Sequence, residues 1–159
     1  MKRNMKKQIY FFLSLGIISG IMLMASCGDD NGDDQLTPQQ EKAQMLAGTW
    51  TQQSTTNSPA GVDPTILDDL TITFNVDGNW NPTTFSSGGA PDFFATSSSS
   101  EWAFSGSSTT SVILSDVTPV DEFTISSLTA NSLTISFSLS GSGARVASLD
   151  GNYTVELTK

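Results

Sequence analysis

The sequence predicts an all-β fold of eight or nine short antiparallel strands behind one short helix. Three observations carry this. From Thr49 onward apolar residues recur at every second position, so that Leu70, Ile72, Phe74 and Val76 alternate with Thr71, Thr73 and Asn75. A side-chain period of two belongs to a strand with one buried face. The positions between are mostly Ser and Thr, which favour strands without making the outer face apolar. No stretch after residue 48 carries helical periodicity. The apolar faces therefore have to cover one another, as a sandwich or as a closed barrel.

The helix comes first. Thr37 can cap it, Pro38 suits its first position and Gln40 completes a capping box. Gly48 is expected to end it, leaving Met45 and Leu46 for burial. Strands are predicted at 49–55, 69–76, 79–85, 100–105, 110–115, 121–128, 132–139, 144–149 and 152–158. Trp102 and Phe104, Phe123 and Ile125, the run from Leu133 through Leu139, and Tyr153, Val155 and Leu157 repeat the alternation. Asp77-Gly78 and Asp150-Gly151 are tight-turn signals, and residues 129–132 make a third turn. A length of 159 residues suits one domain.

The N-terminal part has a different character. Lys2, Arg3, Lys6 and Lys7 precede an apolar run over residues 9–25, and small residues then lead to Cys27. That layout is a cleavable secretory signal. A run of about 17 apolar residues sits at the lower limit for a membrane span. Residues 28–34, which follow, are acidic and contain no basic stop-transfer cluster. Their Asp-Asp-Asn-Gly-Asp-Asp stretch lacks the spaced ligands and distal Glu of an EF-hand.

Met24-Ala25-Ser26-Cys27 resembles the lipobox of bacterial lipoproteins. In that family a diacylglycerol is joined to the cysteine sulfur and a peptidase cuts just before it. The resemblance implies a signal over 1–26, an acidic flexible tether over 27–36 and a folded domain over 37–159. A thiolate is the right nucleophile for the thioether, and stable anchoring takes more than one acyl chain, palmitate being a common one. Cys27 is the only cysteine, so no disulfide can form within the chain. Cleavage would leave Lys42, Arg145 and Lys159 against 16 acidic residues, a formal charge of −13. Such a surface repels phosphates, so nucleic acid is not an expected partner. Membrane contact is expected through the Cys27 lipid alone. The acidic stretch after Cys27 also resembles surface-export signals of Bacteroidota-type lipoproteins, and reads equally as a solvated, self-repelling tether. The expected location is the bacterial outer membrane, with exposure at the cell surface.

Leu46-Ala47-Gly48-Thr49-Trp50, entered from a short helix, is similar to the opening of lipocalins. There a Gly-x-Trp motif begins the first strand and the Trp plugs the closed end of a barrel. Residues 73–80 and 125–135 look like segments of small lipocalin-like lipoproteins of the Bacteroidota type. The resemblance spans about residues 45–159. It implies a small antiparallel up-and-down β-barrel. It also implies a basic residue, Arg145 or Lys159, stacked over Trp50 to help close the barrel, a contact worth about 1 kcal/mol.

The chain has no His. With its Cys committed to lipid, Ser-His-Asp and Cys-His catalysis and His-based metal sites are excluded. Asp68-Asp69 and Asp121-Glu122 are neighbours on strands, so their side chains point to opposite faces and form no acid/base pair. No catalytic residue, metal or cofactor is expected. The candidate ligand-binding residues are Phe74, Trp80, Phe93, Phe94, Trp102, Phe104, Phe123 and Phe137. The same residues also read as core, because small barrels are filled by side chains. Phe93 and Phe94 stand in a Ser-rich loop over 86–100, as a flap over the barrel mouth, a docking site or a cluster beneath the loop, with Trp80 and Phe85 nearby. Two functions follow. One is a lipid-anchored binder of a small apolar or amphipathic molecule. The other is an envelope module for proteins or glycans that uses the barrel only as scaffold. A monomer is expected in either case.

Overall fold

The computed structural model describes residues 35–140 and 149–159. The proposed signal, most of the tether with Cys27, Arg145 and most of the predicted 144–149 strand lie outside these residues. Leu36–Lys159 form one compact unit.

Helix α1 spans Pro38–Leu46. The Thr37 hydroxyl accepts from the Gln40 N–H at 3.2 Å, and the Gln40 side chain accepts from the Thr37 N–H at 2.9 Å. This reciprocal box satisfies two of the otherwise unpaired amides of the first turn. The helix closes at Ala47, one residue earlier than Gly48, because Gly48 already begins the first strand with a left-handed φ of 114°. Ala43 and Leu46 are its buried residues, while Met45 is half-buried.

Eight strands close into a barrel. They are β1 (Gly48–Asn57), β2 (Thr71–Val76), β3 (Pro82–Gly88), β5 (Glu101–Phe104), β6 (Ser111–Ser115), β8 (Glu122–Leu128), β9 (Ser132–Leu139) and β10 (Gly151–Thr158). The order around the barrel is β1-β10-β9-β8-β6-β5-β3-β2, with β2 returning to β1. Every pairing is antiparallel. Closure removes the free edges that an open sheet of this size would leave. The period of two decides what points inward: Ile72 and Phe74, Trp102 and Phe104, Phe123 and Ile125, and Tyr153, Val155 and Leu157 are buried.

Three features depart from the sequence reading. A single 3-10 turn occupies Pro64–Leu67, where no helix was expected. Asp63 caps it, accepting from the Thr65 N–H at 2.9 Å and the Thr65 hydroxyl at 2.7 Å, and Leu67 is buried. A small second sheet pairs β4 (Phe94–Ala95) with β7 (Thr118–Pro119). Finally, β3 starts at Pro82 rather than 79, so Trp80 lies in a turn and not on a strand. The Asp77 carboxylate causes this. It accepts from the backbone N–H groups of Asn79 and Asn81 and from the Asn81 amide, which widens the hairpin and holds Trp80 at a left-handed φ of 62°.

The Asn81 side chain, then its N–H, holds the Asp77 carboxyl below the usual carboxylate range. A depressed native pKa stabilises the fold above the unfolded value of about 3.9. That contribution is lost as pH falls through the native value. Asp77→Asn is therefore expected to lower Tm at neutral pH, with the difference fading as pH falls through the lowered native pKa. Thermal melts of both chains across the acid range check this.

Candidate functional site

The connections sort into two ends. At one end α1 is fastened to the hairpin loops. Gln39 Nε2 donates to the carbonyls of Gly106 and Ser108, each at 2.8 Å, and Gln40 Nε2 donates to the Asn79 carbonyl at 3.0 Å. Trp50 sits beneath the helix, fully buried, and donates its indole N–H to the Leu46 carbonyl at 2.7 Å. Lys159 lies over its ring with Nζ 4.6 Å from the centroid, and the same ammonium donates to the Met45 carbonyl at 2.8 Å. The structure thus brings Trp50 and Lys159 together. Burial lowers the Lys159 pKa from its ordinary value.

Rings run from this region to the opposite mouth. Phe104 packs on Trp102 at 5.5 Å, Trp102 on Phe74 at 5.1 Å, and Phe74 on Phe123 at 6.0 Å and Phe85 at 5.4 Å. Phe85 leads on to Phe94 at 6.4 Å, and Phe94 to Phe137 at 5.1 Å. Phe93 meets Phe137 at 6.0 Å and Tyr153 at 5.0 Å. Most of these pairs meet tilted or edge-on, and Phe137 stacks on Tyr153 at 15°. Edge-to-face geometry suits the quadrupoles of the rings and adds about 0.5–1.5 kcal/mol per pair.

Phe93 and Phe94 come from the connection between β3 and β5, not from the barrel wall. Both are buried beneath that connection, so neither offers an exposed docking surface in this conformation. Hydrogen bonds tie their flap to its neighbours. The N–H groups of Phe93 and Phe94 both donate to the Ala90 carbonyl, the Val120 N–H donates to the Phe93 carbonyl at 3.1 Å, and the Ser87 hydroxyl donates to the Phe94 carbonyl. The β4–β7 pair adds two residues on each side. An open groove of about 320 Å3 runs between β3 and β4, lined by Ser87, Gly88, Gly89, Pro91, Phe94, Ala95 and Thr96.

Gly89 makes the flap's exit from β3 possible. It has φ 79°, and a Cβ there would collide with the Asp69 backbone carbonyl. Gly89→Ala is expected to cost about 2–4 kcal/mol from left-handed strain and overpacking combined. Denaturant unfolding measures it.

Of the eight ligand candidates, Phe93, Phe94 and Phe137 meet at the mouth. Phe74, Trp102, Phe104 and Phe123 lie deeper among the packed rings. Trp80 is half-buried in the β2–β3 turn, whose neighbouring Asn79 is tied to α1, and it is not brought to the mouth. Tyr153 is absent from the ligand candidates of the sequence reading, although its period-two position marks it as inward-facing. Burial, then the charge of Asp150, raises its pKa, so the phenol stays protonated and donates to the Leu149 carbonyl. The carboxylates of Asp68, Asp69, Asp121 and Glu122 are exposed. Among the described residues no group of three or more His, Cys, Asp or Glu is placed to hold a metal ion. No helix there is long and apolar enough to cross a membrane.

An up-and-down barrel of eight strands, opened by a Gly-x-Trp strand and closed at one end by a helix, is a lipocalin-like barrel. The family model for a lipocalin-like domain matches residues 46–135, more than half of the chain, and the chain belongs to that family. No curated protein and no solved structure gave a match. The fold is one able to bind ligands in its interior.

Proposed function

We propose that this is a lipid-anchored cell-envelope protein, non-catalytic, that holds a small apolar or amphipathic molecule at the loop end of its barrel. One observation supports the binding reading. The mouth is filled by Phe93 and Phe94 from a connection outside the barrel wall, so the apolar space there can be vacated without breaking the strand pairing of the barrel. Displacing the pair would leave a pocket walled by Phe85, Phe137 and Tyr153. Uncovering each ring costs about 1.5–3 kcal/mol, which an incoming apolar group of similar area offsets. Native mass spectrometry of the protein released gently from envelopes tests this. A bound small molecule that organic extraction removes is expected, and a bare chain under every mild release condition counts against it. The Cys27 anchor has its own test: Cys27→Ser should abolish palmitate labelling and move the protein out of the membrane fraction.

The second reading, a scaffold for protein or glycan partners, is favoured by the interlocked rings that already fill the interior. Envelope pull-downs discriminate. A partner list unchanged by removal of bound small molecules supports the scaffold.

A further inference from the structure

Two connections at the loop end are joined to each other. Residues 89–100 run from β3 to β5, and residues 116–121 run from β6 to β8. Their strands β4 and β7 pair with each other in a sheet separate from that of the barrel. Phe94 stands opposite Pro119 and Ala95 opposite Thr118, and the Val120 N–H donates to the Phe93 carbonyl at 3.1 Å. Ala90, Phe93 and Phe94 from the first connection and Val117 and Val120 from the second are all buried in the same core. The first connection also holds its own shape, since the N–H groups of Phe93 and Phe94 both donate to the Ala90 carbonyl.

The roots of the two connections are tied as well. Ser100, the last residue before β5, is buried and donates its hydroxyl to the Asp116 carbonyl at 2.8 Å. The Ser99 hydroxyl donates to the Asp116 carboxylate at 3.1 Å. Asp116 directly follows β6, and Glu101 of β5 stands opposite Ser115 of β6 beside this tie. The chain leaves the wall at two left-handed residues, Gly89 with φ 79° and Asp116 with φ 55°. Pulling β4 away from β7 would break the bonds between them and leave buried backbone groups unpaired, which is costly. Moving the two together keeps those bonds and parts contacts with the wall instead, such as that of the Ser87 hydroxyl with the Phe94 carbonyl.

We infer that β4 and β7 form a single lid, rooted at Ser100 and Asp116, and that both connections lift together when the mouth admits a ligand. This rests on the ligand-binding reading above and adds how the site opens. The 116–121 connection, which contributes no lining residue to the groove beside β4, is then half of the gate.

A cross-link inside the lid tests this. Residues directly opposite in an antiparallel pair lie about 4.5–5.5 Å apart at Cα, within reach of a disulfide. The chain from residue 28 onward contains the whole compact unit Leu36–Lys159 and no cysteine, so Ala95→Cys/Thr118→Cys, at two exposed positions, adds one bridge. Titration with 1-aminoanthracene, read by fluorescence and by the amide shifts of Phe93 and Phe94, compares the oxidised and reduced forms. A one-piece lid predicts the same affinity and the same shifts in both. Binding that is lost on oxidation and restored by reduction would mean that β4 opens alone against a fixed β7; this overturns the lid and leaves the ligand-binding reading intact. No binding in either form, or binding without shifts at Phe93 and Phe94, overturns both. Val120→Ala reads the coupling without a cross-link, with Val112→Ala, also buried but in the barrel wall, as its control. Loosening the second connection should speed dye entry several-fold in Val120→Ala and leave it unchanged in Val112→Ala. Unchanged entry in Val120→Ala, or equal speeding in both, overturns the lid.

Discussion

Trp50→Ala is expected to lower the free energy of unfolding by about 3–5 kcal/mol, the range for removing a large ring from a tight core. Trp50 is fully buried, and three separate interactions converge on it. Its ring fills the barrel under α1, its indole N–H satisfies the Leu46 carbonyl in the last turn of that helix, and Lys159 covers its face. Loss of the ring frees Leu46 and Lys159 together, so α1 loses its seat as well as its packing. A domain of this size has about 5–15 kcal/mol in hand, so the variant keeps little margin. Trp50→Phe separates the terms. It retains much of the apolar area but leaves the Leu46 carbonyl without its donor, and is expected to cost only about 1–2 kcal/mol from that loss. Urea unfolding of the two variants orders them. A cost for Trp50→Ala below that of Trp50→Phe would mean that the closed end is not built around this ring.

Phe93→Ala is expected to move stability and ligand affinity in opposite directions. Phe93 is fully buried against Tyr153 and Phe137, so its removal should cost about 3–4 kcal/mol. The low end applies if the flap settles into the gap. The vacated volume lies where the proposed ligand would enter. A ligand no longer has to displace that ring, which saves about 1.5–3 kcal/mol and raises affinity roughly tenfold or more. Unfolding curves and titration with a neutral apolar dye read the two effects on the same preparation. Loss of stability together with loss of binding would place the ligand elsewhere.

Much of the fold was legible because the signals are local. Thr37, Pro38 and Gln40 specify the helix start within four residues, and the capping box forms as read. The alternation in residues 132–139 fixes which side chains of β9 face inward, and Leu133, Ile135, Phe137 and Leu139 are all buried. What escaped is either too short or too distant. Strands β4 and β7 have two residues each, too few for a period, and they pair across a gap in sequence that no local rule spans. Asp77-Gly78 suggests a two-residue hairpin with a strand through Trp80, whereas the Asp77 carboxylate organises a wider turn. The 3-10 turn at Pro64–Leu67 carries the signal of an Asp cap followed by Pro, but one turn leaves no periodicity.

The site divides in the same way. Gly48-Thr49-Trp50 pointed to the closed end, and the chain's last residue, Lys159, reaches it through the pairing of β1 with β10. That Asp69, Asp92 and Asp116 lie in connections at one end of the barrel was not legible, because it follows only from the alternating direction of the strands. The burial of Phe93 and Phe94 depends on a flap held by Ser87 of β3 and by Val120, the residue after β7.

The central claim is that ligand enters at the loop end, past the Phe93–Phe94 flap. An NMR titration of the chain from residue 28 onward with 1-aminoanthracene tests it most directly. Backbone shifts are predicted to concentrate at Gly88, Gly89, Phe93, Phe94, Ala95 and Thr96, while Gly48, Trp50 and Lys159 stay in place. Shifts centred on Trp50 and α1, or saturating dye with no shift at the flap, would contradict the account.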